Sequence, residues 1–172
     1  MDIITLIKNY FSKKPQIKPK DSFEIYRTDS HKYQDFIGDH KLPDYWFDTE
    51  TFFFYIVDYL KEPIGYFAFR IDKNEFIGKV QQVYITEPQR DRNFGTILVM
   101  FMENIAQQLN IKEMYVFDRC ESFWEKMGYT KTENISQAVL NISYQEDDEK
   151  KDGFMSKSLL IPDFKERLNE NG

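Results

Sequence analysis

The residues best suited to chemistry lie in one short stretch, residues 90–96, which reads Arg-Asp-Arg-Asn-Phe-Gly-Thr. It follows the apolar residues Val83 and Ile85 and precedes a helical apolar run, Ile97–Leu109. A strand, a tight turn and a helix start in this order expose backbone N–H groups at a helix N-terminus, where the helix dipole favours negative charge. The stretch therefore predicts a phosphate or pyrophosphate site. The alternative is an ordinary helix start with two solvated arginines.

Composition limits the classes of protein to consider. The chain has 172 residues and a net charge of −6, which fits one domain of ordinary size and argues against general nucleic-acid binding. Its only cysteine, Cys120, excludes an internal disulfide, and His31 and His40 lack the spacing of a helical metal pair, so no metal site is predicted. The sequence shows no signal peptide and no run long enough to span a membrane. We therefore expect a cytoplasmic protein without a membrane partner.

Hydrophobic periodicity and turn residues predict the elements that must hold residues 90–96. Three strands joined by two hairpins form an antiparallel meander, and the last two are joined by an Asp-Lys-Asn turn at residues 72–74. These strands are Phe52–Leu60, Ile64–Ile71 and Glu75–Ile85, and a further strand is predicted before them at Phe23–Arg27. The helix Ile97–Leu109 then leads to a strand, Met114–Phe117, and this order favours a parallel pair joined by a right-handed crossover.

The remaining segments complete an α+β arrangement with a mixed sheet. A helix over Glu121–Met127 is closed by Gly128 in the position of a C-terminal cap. Two paired strands joined by a charged loop are predicted at Ala138–Tyr144 and Gly153–Leu160. Shorter helices are predicted at Asp2–Phe11, before a basic connector at 13–20, at residues 31–38 with Asp29 or Ser30 as the cap, and at Pro162–Asn169.

Two further segments can be set beside residues 90–96. Residues 120–129 read Cys-Glu-Ser-Phe-Trp-Glu-Lys-Met-Gly-Tyr, and residues 155–159 read Met-Ser-Lys-Ser-Leu. Together, and in this order, the three resemble the GNAT family of N-acetyltransferases over residues 23–160. Residues 90–95 are similar to its acyl-CoA-binding motif, Gln/Arg-x-x-Gly-x-Gly/Ala, with Asn93 in place of the middle glycine. Residues 120–129 are similar to its Ala-x-x-Phe-Tyr-x-Lys-x-Gly-Phe segment, and residues 155–159 to its final strand.

The resemblance implies a mixed, mostly antiparallel sheet of six to seven strands with helices on both faces. It implies a single GNAT-like domain over residues 1–172, in which residues 1–20 form an N-terminal helix and a basic connector. Asparagine tolerates positive φ better than most residues, so Asn93 can replace the glycine. The resemblance also implies acetyl-CoA as the acyl donor, without a metal. The residues implied in binding it are Val83, Ile85, Arg90, Asp91, Arg92, Asn93, Phe94, Gly95 and Thr96.

The candidates for acid–base chemistry lie on and near the fourth strand. By the two-residue strand period, Lys79 and Gln81 share a face with Val83, and Glu75 lies further out on the same face. Glutamine is not a base, and lysine serves as one only when its pKa is strongly lowered. Glu75, and Glu87 beyond the strand, are also explained as solvated surface carboxylates.

Two positions depart from the family's pattern. Trp124 stands where the family usually has a tyrosine that acts as the general acid toward the leaving thiol. Phe117 stands where the family, in some members, has an asparagine that contacts pantetheine. An indole N–H donates a hydrogen bond but does not release a proton near neutral pH, so Trp124 either orients the leaving sulfur or is a core residue. Cys120 is a conceivable nucleophile, but its small-residue position favours a buried core thiol.

The resemblance implies an acyl-CoA-dependent N-acyltransferase that moves an acetyl group to a primary amine, of a small molecule or a protein, by direct attack in a ternary complex. The alternative is a GNAT-fold protein with weak or no catalysis that binds CoA or a protein partner. Five carboxylates favour a cationic acceptor, although solvated charges explain them equally well. They are Asp35, Asp39, Asp44, Asp48 and Glu50. An aromatic-rich sheet edge makes a homodimer plausible.

Overall fold

The structure of the protein, a computed structural model, describes residues 22–29, 32–33, 51–117, 120–133, 135–143 and 153–159. The strands in these ranges are β1 (Phe23–Thr28), β2 (Thr51–Asp58), β3 (Pro63–Asp72), β4 (Ile77–Ile85), β5 (Glu113–Phe117), β6 (Thr130–Lys131) and β7 (Phe154–Ser158). The α-helices are α1 (Phe94–Gln108), α2 (Glu121–Lys126) and α3 (Gln137–Asn141). A short 3-10 helix spans Glu87–Gln89.

Several predicted segments lie outside the described residues. They are the N-terminal helix and its basic connector, most of residues 31–38, the five carboxylates of residues 35–50, the charged loop at 145–152 and the final helix at 162–169. The predicted cap by Asp29 is confirmed, since its Oδ1 accepts a hydrogen bond from the Lys32 N–H at 2.9 Å. Within the described ranges, no helix is long and apolar enough to cross a membrane.

The described strands form one sheet in the order β1-β2-β3-β4-β5-β7-β6. Neighbouring strands are antiparallel except β4 and β5, which are parallel and are connected through α1. The first four strands form a meander because their aromatic and β-branched residues suit a buried pleated surface. In the turn before β4, Asp72 Oδ1 accepts hydrogen bonds from the N–H groups of Asn74 and Glu75. The predicted mixed, mostly antiparallel sheet is confirmed.

Helices cover both faces of the sheet, as predicted. On one face, which we call the α1 face, Phe54 and Phe67 stack at 4.7 Å, and both meet Phe101 of α1 edge-on. On the other face, the α3 face, Val139 of α3 packs in a buried cluster with Phe154 of β7. The core therefore has two layers, and any opening in the sheet connects them.

α1 is a helix because its apolar residues recur at helical spacing and face the sheet. Its buried residues are Phe94, Leu98, Val99, Phe101, Met102, Ile105 and Ala106. It ends in a Schellman arrangement, in which Asn110 has a φ of 61° and the Ile111 N–H bonds to the Ala106 carbonyl at 2.9 Å. This sharp ending returns the chain directly to β5 beside β4.

The predicted strand Ala138–Tyr144 is wrong, because the chain forms α3 there. Ser136 caps this helix by accepting a hydrogen bond from the Val139 N–H. Val139 and Ile142, spaced for one helix face, are both buried in the cluster on the α3 face. The final strand, β7, consequently pairs with β5 and β6 and not with this segment. Tertiary burial thus overrides the β propensity of the Val-Leu-Asn-Ile run.

Candidate functional site

The central feature of the site is an opening between β4 and β5. Their parallel pairing runs from Ile77 opposite Glu113 to Val80 opposite Val116 and ends there. Beyond Val80, β4 continues along β3 as far as Ile85. In the described part of the chain, the β5 side of this last stretch therefore carries no strand partner.

A cavity of about 390 Å³ lies at this opening. Its walls combine the end of β5, the middle of β4 and the beginning of α2. The lining residues are Val80, Gln81, Gln82, Val83, Val116, Phe117, Cys120, Phe123 and Trp124. This volume is within the range of small-molecule sites, and the mostly apolar lining with two amides is typical of them.

A β-bulge at Gln81 determines which side chains face the cavity from β4. Ala68 of β3 pairs with Gln82, but the next residue, Phe69, pairs with Val80, so Gln81 is an extra residue on β4. The bulge reverses the alternation of faces along the strand. Lys79 lies on the α3 face, where its Nζ is 5.7 Å from the centroid of the Phe154 ring. Val83 and Ile85 pack on the α1 face.

The prediction that Lys79 and Gln81 share a face with Val83 is therefore wrong. It assumed an unbroken two-residue period, which a bulge interrupts. Lys79 is 2% exposed and is not among the residues that line the cavity. Tyr84 lies on the face opposite Val83 and stacks on Tyr66 at 4.9 Å.

The structure also separates Glu75 from the site. Glu75 is exposed in the turn before β4, which begins only at Ile77. At about 3.3 Å per residue, Glu75 lies roughly 20 Å along the chain from Gln81. The placement of Glu75 on the site face of the strand is therefore wrong. Glu87 is exposed in the 3-10 helix after β4.

The two adjacent glutamines at the bulge have different surroundings. The Nε2 of Gln81 donates a hydrogen bond of 2.6 Å to the backbone carbonyl of Ile142, just after α3. The Oε1 of Gln81 is buried and has no hydrogen-bond partner among the described residues. The hydroxyl of Tyr33 lies 3.3 Å from the Oε1 of Gln82 and donates to it. Both amides are thus tied to groups on the α3 face.

The turn between β4 and α1 presents main-chain N–H groups. Asp91 and Asn93 have φ angles of 61° and 62°, so Asn93 adopts the left-handed conformation predicted for it. The first hydrogen bond of α1 runs from the Ile97 N–H to the Asn93 carbonyl at 3.1 Å. Helical geometry consequently leaves the N–H groups of residues 94–96 without an acceptor inside the helix. The helix dipole adds partial positive charge at this point.

The two arginines of the turn fold back on their own loop. The Nε of Arg90 donates to the Ile85 carbonyl at 3.3 Å. Arg92 donates to the side-chain oxygen of Gln89, and its guanidinium lies 5.1 Å from the centroid of the Phe94 ring. Both side chains are exposed. They supply positive charge beside the free N–H groups of α1.

α2 packs closely against the start of α1. A Cβ atom on Gly95 would lie 3.4 Å from Cε2 of Phe123, so a methyl group would touch this ring and a larger side chain would not fit beside it. Trp124, next to Phe123, is 4% exposed and meets the rings of Phe123 and Tyr129 edge-on at 5.2 and 5.0 Å. Trp124 is therefore a core residue that also lines the cavity. The other end of the cavity is closed by Phe117, which packs edge-on against Phe154.

The prediction that Cys120 is a buried core thiol is wrong. The residue is exposed, because it occupies the N-cap position of α2 and not the helix interior. It lines the cavity beside Phe123. The start of the helix was predicted correctly, but the predicted burial of Cys120 is wrong.

Tyr129 is a buried neighbour of Trp124 that the sequence did not single out. Burial raises the pKa of its hydroxyl well above the ordinary value, and the Glu103 carboxylate raises it further. Lys157 of β7 bonds to Glu103 at 2.8 Å and to the Met127 carbonyl at 2.7 Å. This ion pair joins α1 and β7 to the end of α2 and so fixes the wall that carries Trp124.

A profile of the acetyltransferase (GNAT) family matches residues 20–129, which include β1 to β5, α1 and α2. The chain belongs to this family. The match contains the β4–β5 opening, the turn at the start of α1 and the helix that carries Trp124. The family predicted from residues 90–96 and 120–129 is thereby confirmed.

One curated relative and two solved structures place this GNAT chain among known proteins. The uncharacterized N-acetyltransferase CgeE of Bacillus subtilis strain 168 is 32% identical over an alignment of 79 residues that covers 44% of this chain and 30% of that protein. The PaiA N-acetyltransferase of Thermoplasma acidophilum, in complex with coenzyme A, has a TM-score of 0.57 at 15% identity, covering 80% of this chain and 99% of its own. The spermidine/spermine N-acetyltransferase SpeG of Vibrio cholerae has a TM-score of 0.59 at 11% identity, covering 90% and 100%. The chain thus matches less than a third of the curated relative, and the solved structures demonstrate a shared fold.

The site of this GNAT chain is poor in groups that titrate near neutral pH. None of the nine lining residues in the described part of the chain is an aspartate, glutamate, histidine or tyrosine. No three potential metal ligands come together within the same ranges. What the site does present is a set of main-chain groups, two amides and an apolar wall.

Proposed function

We propose that the protein is an acyl-CoA-dependent N-acyltransferase that moves an acetyl group to a primary amine by direct attack in a ternary complex. The observation that carries this proposal is the β4–β5 opening, with free N–H groups at the start of α1 beside it, in a chain of the GNAT family. A long ligand with a phosphate at one end and a reactive group at the other suits this combination.

The residues present fit acetyl-CoA. The N–H groups at the start of α1 suit a pyrophosphate, and Arg90 and Arg92 add charge. The open side of β4 beyond Val80 suits the amides of a pantetheine arm, which can pair as a strand would. The residues that we assign to binding are Val83, Ile85, Arg90, Asp91, Arg92, Asn93, Phe94, Gly95 and Thr96.

The chain's contribution to the reaction is chiefly positioning. When bound, acetyl-CoA supplies a thioester carbonyl that a neutral amine attacks. The main-chain N–H groups on the open side of β4 are suited to polarising that carbonyl. The apolar wall of Val80, Val116 and Phe117 excludes water from it. Holding two reactants in line lowers a barrier by about 7–11 kcal/mol in favourable cases, so this chemistry tolerates a site without a carboxylate or imidazole.

The indole of Trp124 is suited to orienting the leaving sulfur, because its N–H donates a hydrogen bond. It does not supply a proton near neutral pH, so the thiolate leaves unprotonated or takes its proton from water. The sequence also suggested Lys79, Gln81 and Glu75, but Lys79 and Glu75 do not line the cavity. Gln81 does line it.

A second candidate function is a GNAT-fold protein that binds CoA or a partner without catalysis. The observation that favours it is the lining of the cavity, which lacks carboxylate, imidazole and phenol groups in the described residues. The burial of Lys79 away from the cavity points in the same direction. In this case the free N–H groups of α1 would still bind CoA.

The acceptor is proposed as a primary amine, on a small molecule or on a protein. SpeG, a structural neighbour, is a spermidine/spermine N-acetyltransferase, and it supports amines as a class. The five carboxylates between residues 35 and 50 favour a cationic acceptor.

One experiment separates the two functions. The protein is incubated with acetyl-CoA and a panel of polyamines, amino acids, amino sugars and aralkyl amines, and release of the CoA thiol is followed. Calorimetry measures CoA binding in parallel. Amine-dependent thiol release supports the transferase and rules out a purely binding role. CoA binding without turnover on the whole panel supports the second candidate. Failure to bind CoA contradicts the transferase and leaves only a role in binding a protein partner.

A further inference from the structure

We propose that Gln81 binds the acceptor amine by accepting a hydrogen bond from its N–H through Oε1. This inference rests on the proposed transferase function and names the residue that would receive its second substrate. It depends on the bulge in β4, the fixed orientation of one amide and the face of the sheet on which that amide lies.

The orientation of the Gln81 amide follows from its partner. The backbone carbonyl of Ile142 can only accept a hydrogen bond, so the amide atom 2.6 Å from it must be Nε2. The oxygen is therefore the atom left over. It is buried and accepts no hydrogen bond from the described residues. A buried acceptor of this kind costs stability and is uncommon unless a ligand or water satisfies it.

The bulge explains why the Gln81 side chain reaches the cavity. Gln81 is the extra residue of β4 and has no partner residue on β3, so it does not follow the regular alternation of side chains between the two faces. It lines the cavity at the point where β4 and β5 stop pairing. An oxygen that lacks a donor at this place suits a ligand that brings an N–H or O–H group.

The side of the sheet favours the amine as that ligand. Ile142 belongs to the buried cluster on the α3 face, so the Gln81 amide lies toward that face. The N–H groups that we assign to the phosphate lie in the turn between β4 and α1, at the start of α1. Acetyl-CoA and the acceptor amine must approach the opening from different directions, because the amine needs an open face of the thioester carbonyl to attack.

The reaction leaves an N–H for Gln81 to hold. The amine nitrogen forms a bond to the acetyl carbon as the carbon–sulfur bond breaks, and the sulfur leaves with the bonding electrons. The nitrogen then loses one proton, which ends on the thiol or in water. A primary amine has two N–H bonds, so one can donate to Oε1 throughout while its lone pair attacks.

Three variants test the assignment. Gln81→Leu removes both the acceptor and the donor to the Ile142 carbonyl, whereas Gln81→Glu removes that donor but keeps acceptor oxygens at the same length of side chain. Gln108→Leu is the matched control, because Gln108 is exposed near the end of α1 and bonds only to Asn104 among the described residues. Each protein is checked for folding by its circular dichroism and thermal transition.

Steady-state kinetics use the best amine of the panel and acetyl-CoA. For Gln81→Leu we expect the KM for the amine to rise roughly tenfold, the effect of one lost hydrogen bond, while the KM for acetyl-CoA stays within about twofold. Gln81→Glu should have a lower KM for the amine than Gln81→Leu, because both lose the bond to Ile142 and only the glutamate keeps an acceptor. Gln108→Leu should match the unaltered protein in both constants.

Two kinetic results would overturn the assignment. One is an unchanged KM for the amine in folded Gln81→Leu. The other is an equal rise in both KM values, which would indicate that Gln81 contacts the pantetheine arm or only supports the fold.

The inference and the proposed function can fail separately. If no amine is turned over, the transferase proposal fails, and spermidine is then titrated by calorimetry into the CoA-loaded protein. Binding of spermidine that Gln81→Leu weakens roughly tenfold supports the amine site without catalysis. Absence of binding, or binding that ignores the substitution, overturns it.

Discussion

Valine at position 95 is expected to weaken CoA binding without unfolding the protein. A Cβ atom on Gly95 would lie 3.4 and 3.5 Å from Cε2 and Cζ of Phe123, at the near edge of the 3.5–4.0 Å optimum for carbon contacts. Alanine therefore fits with a shift of tenths of an ångström. The two methyl groups of valine extend about 1.5 Å further and force either Phe123 into the cavity or the start of α1 outward.

The magnitude follows from the N–H groups that α1 offers. Displacing the first turn by enough to lose one hydrogen bond to a charged phosphate costs about 1.5–3 kcal/mol. This loss raises the Kd for CoA by roughly 10- to 150-fold. Helix propensity works in the other direction, since valine is a few tenths of a kcal/mol better than glycine in a helix. The protein should consequently stay folded.

Isothermal titration calorimetry with CoA measures the effect, and Gly95→Ala serves as the matched control. We expect Gly95→Ala to bind within about threefold of the original Kd, because its methyl group only touches Phe123. If folded Gly95→Val binds CoA as tightly as the unaltered protein, the phosphate does not sit at the start of α1. The assignment of residues 90–96 would then have to be abandoned.

Two other substitutions test the fold around the site. Burial, with a smaller effect of Tyr84, raises the pKa of Tyr66 from 10.0 to about 12. Its stabilising effect is thus complete below pH 10 and is lost as the pH rises to 12. Urea unfolding at several pH values should show a smaller alkaline loss of stability for Tyr66→Phe, and parallel curves would contradict the shift. Gly128 has a φ of 85°, with Lys157 no closer than 3.6 Å to a Cβ there. Gly128→Ala should therefore lower the free energy of unfolding by about 1 kcal/mol through backbone strain alone, and an unchanged urea midpoint would refute this reasoning.

Much of the fold could be predicted because local patterns and tertiary packing agree. The meander of β2 to β4 follows from aromatic strands and an Asp-initiated turn, and α1 follows from a clear helical period. Gly128 ends α2 with a positive φ, as its place in the sequence predicted. The conformation of Asn93 was also predictable, because few residue types adopt positive φ at low cost.

The rest depended on packing that single-sequence patterns do not carry. The bulge at Gln81 places Lys79 and Val83 on opposite faces of the sheet. Its only trace in the sequence is a pair of glutamines inside an apolar strand. The residues of α3 have a high β propensity and were therefore predicted as a strand. Burial on the α3 face outweighs this propensity and stabilises a helix. Ser136, with its hydrogen bond to the Val139 N–H, was the signal that could have indicated a helix start.

The N–H groups at the start of α1 belong to the main chain, and every residue type except proline carries one. The sequence has to supply only conformation at this turn: positive φ at Asp91 and Asn93, and little bulk at Gly95. Many sequences meet these conditions, so the same donors can persist while the surrounding side chains are exchanged. An alanine scan of the turn would consequently overlook them. Replacing the amide of Gly95 or Thr96 by an ester would delete one donor and leave every side chain in place.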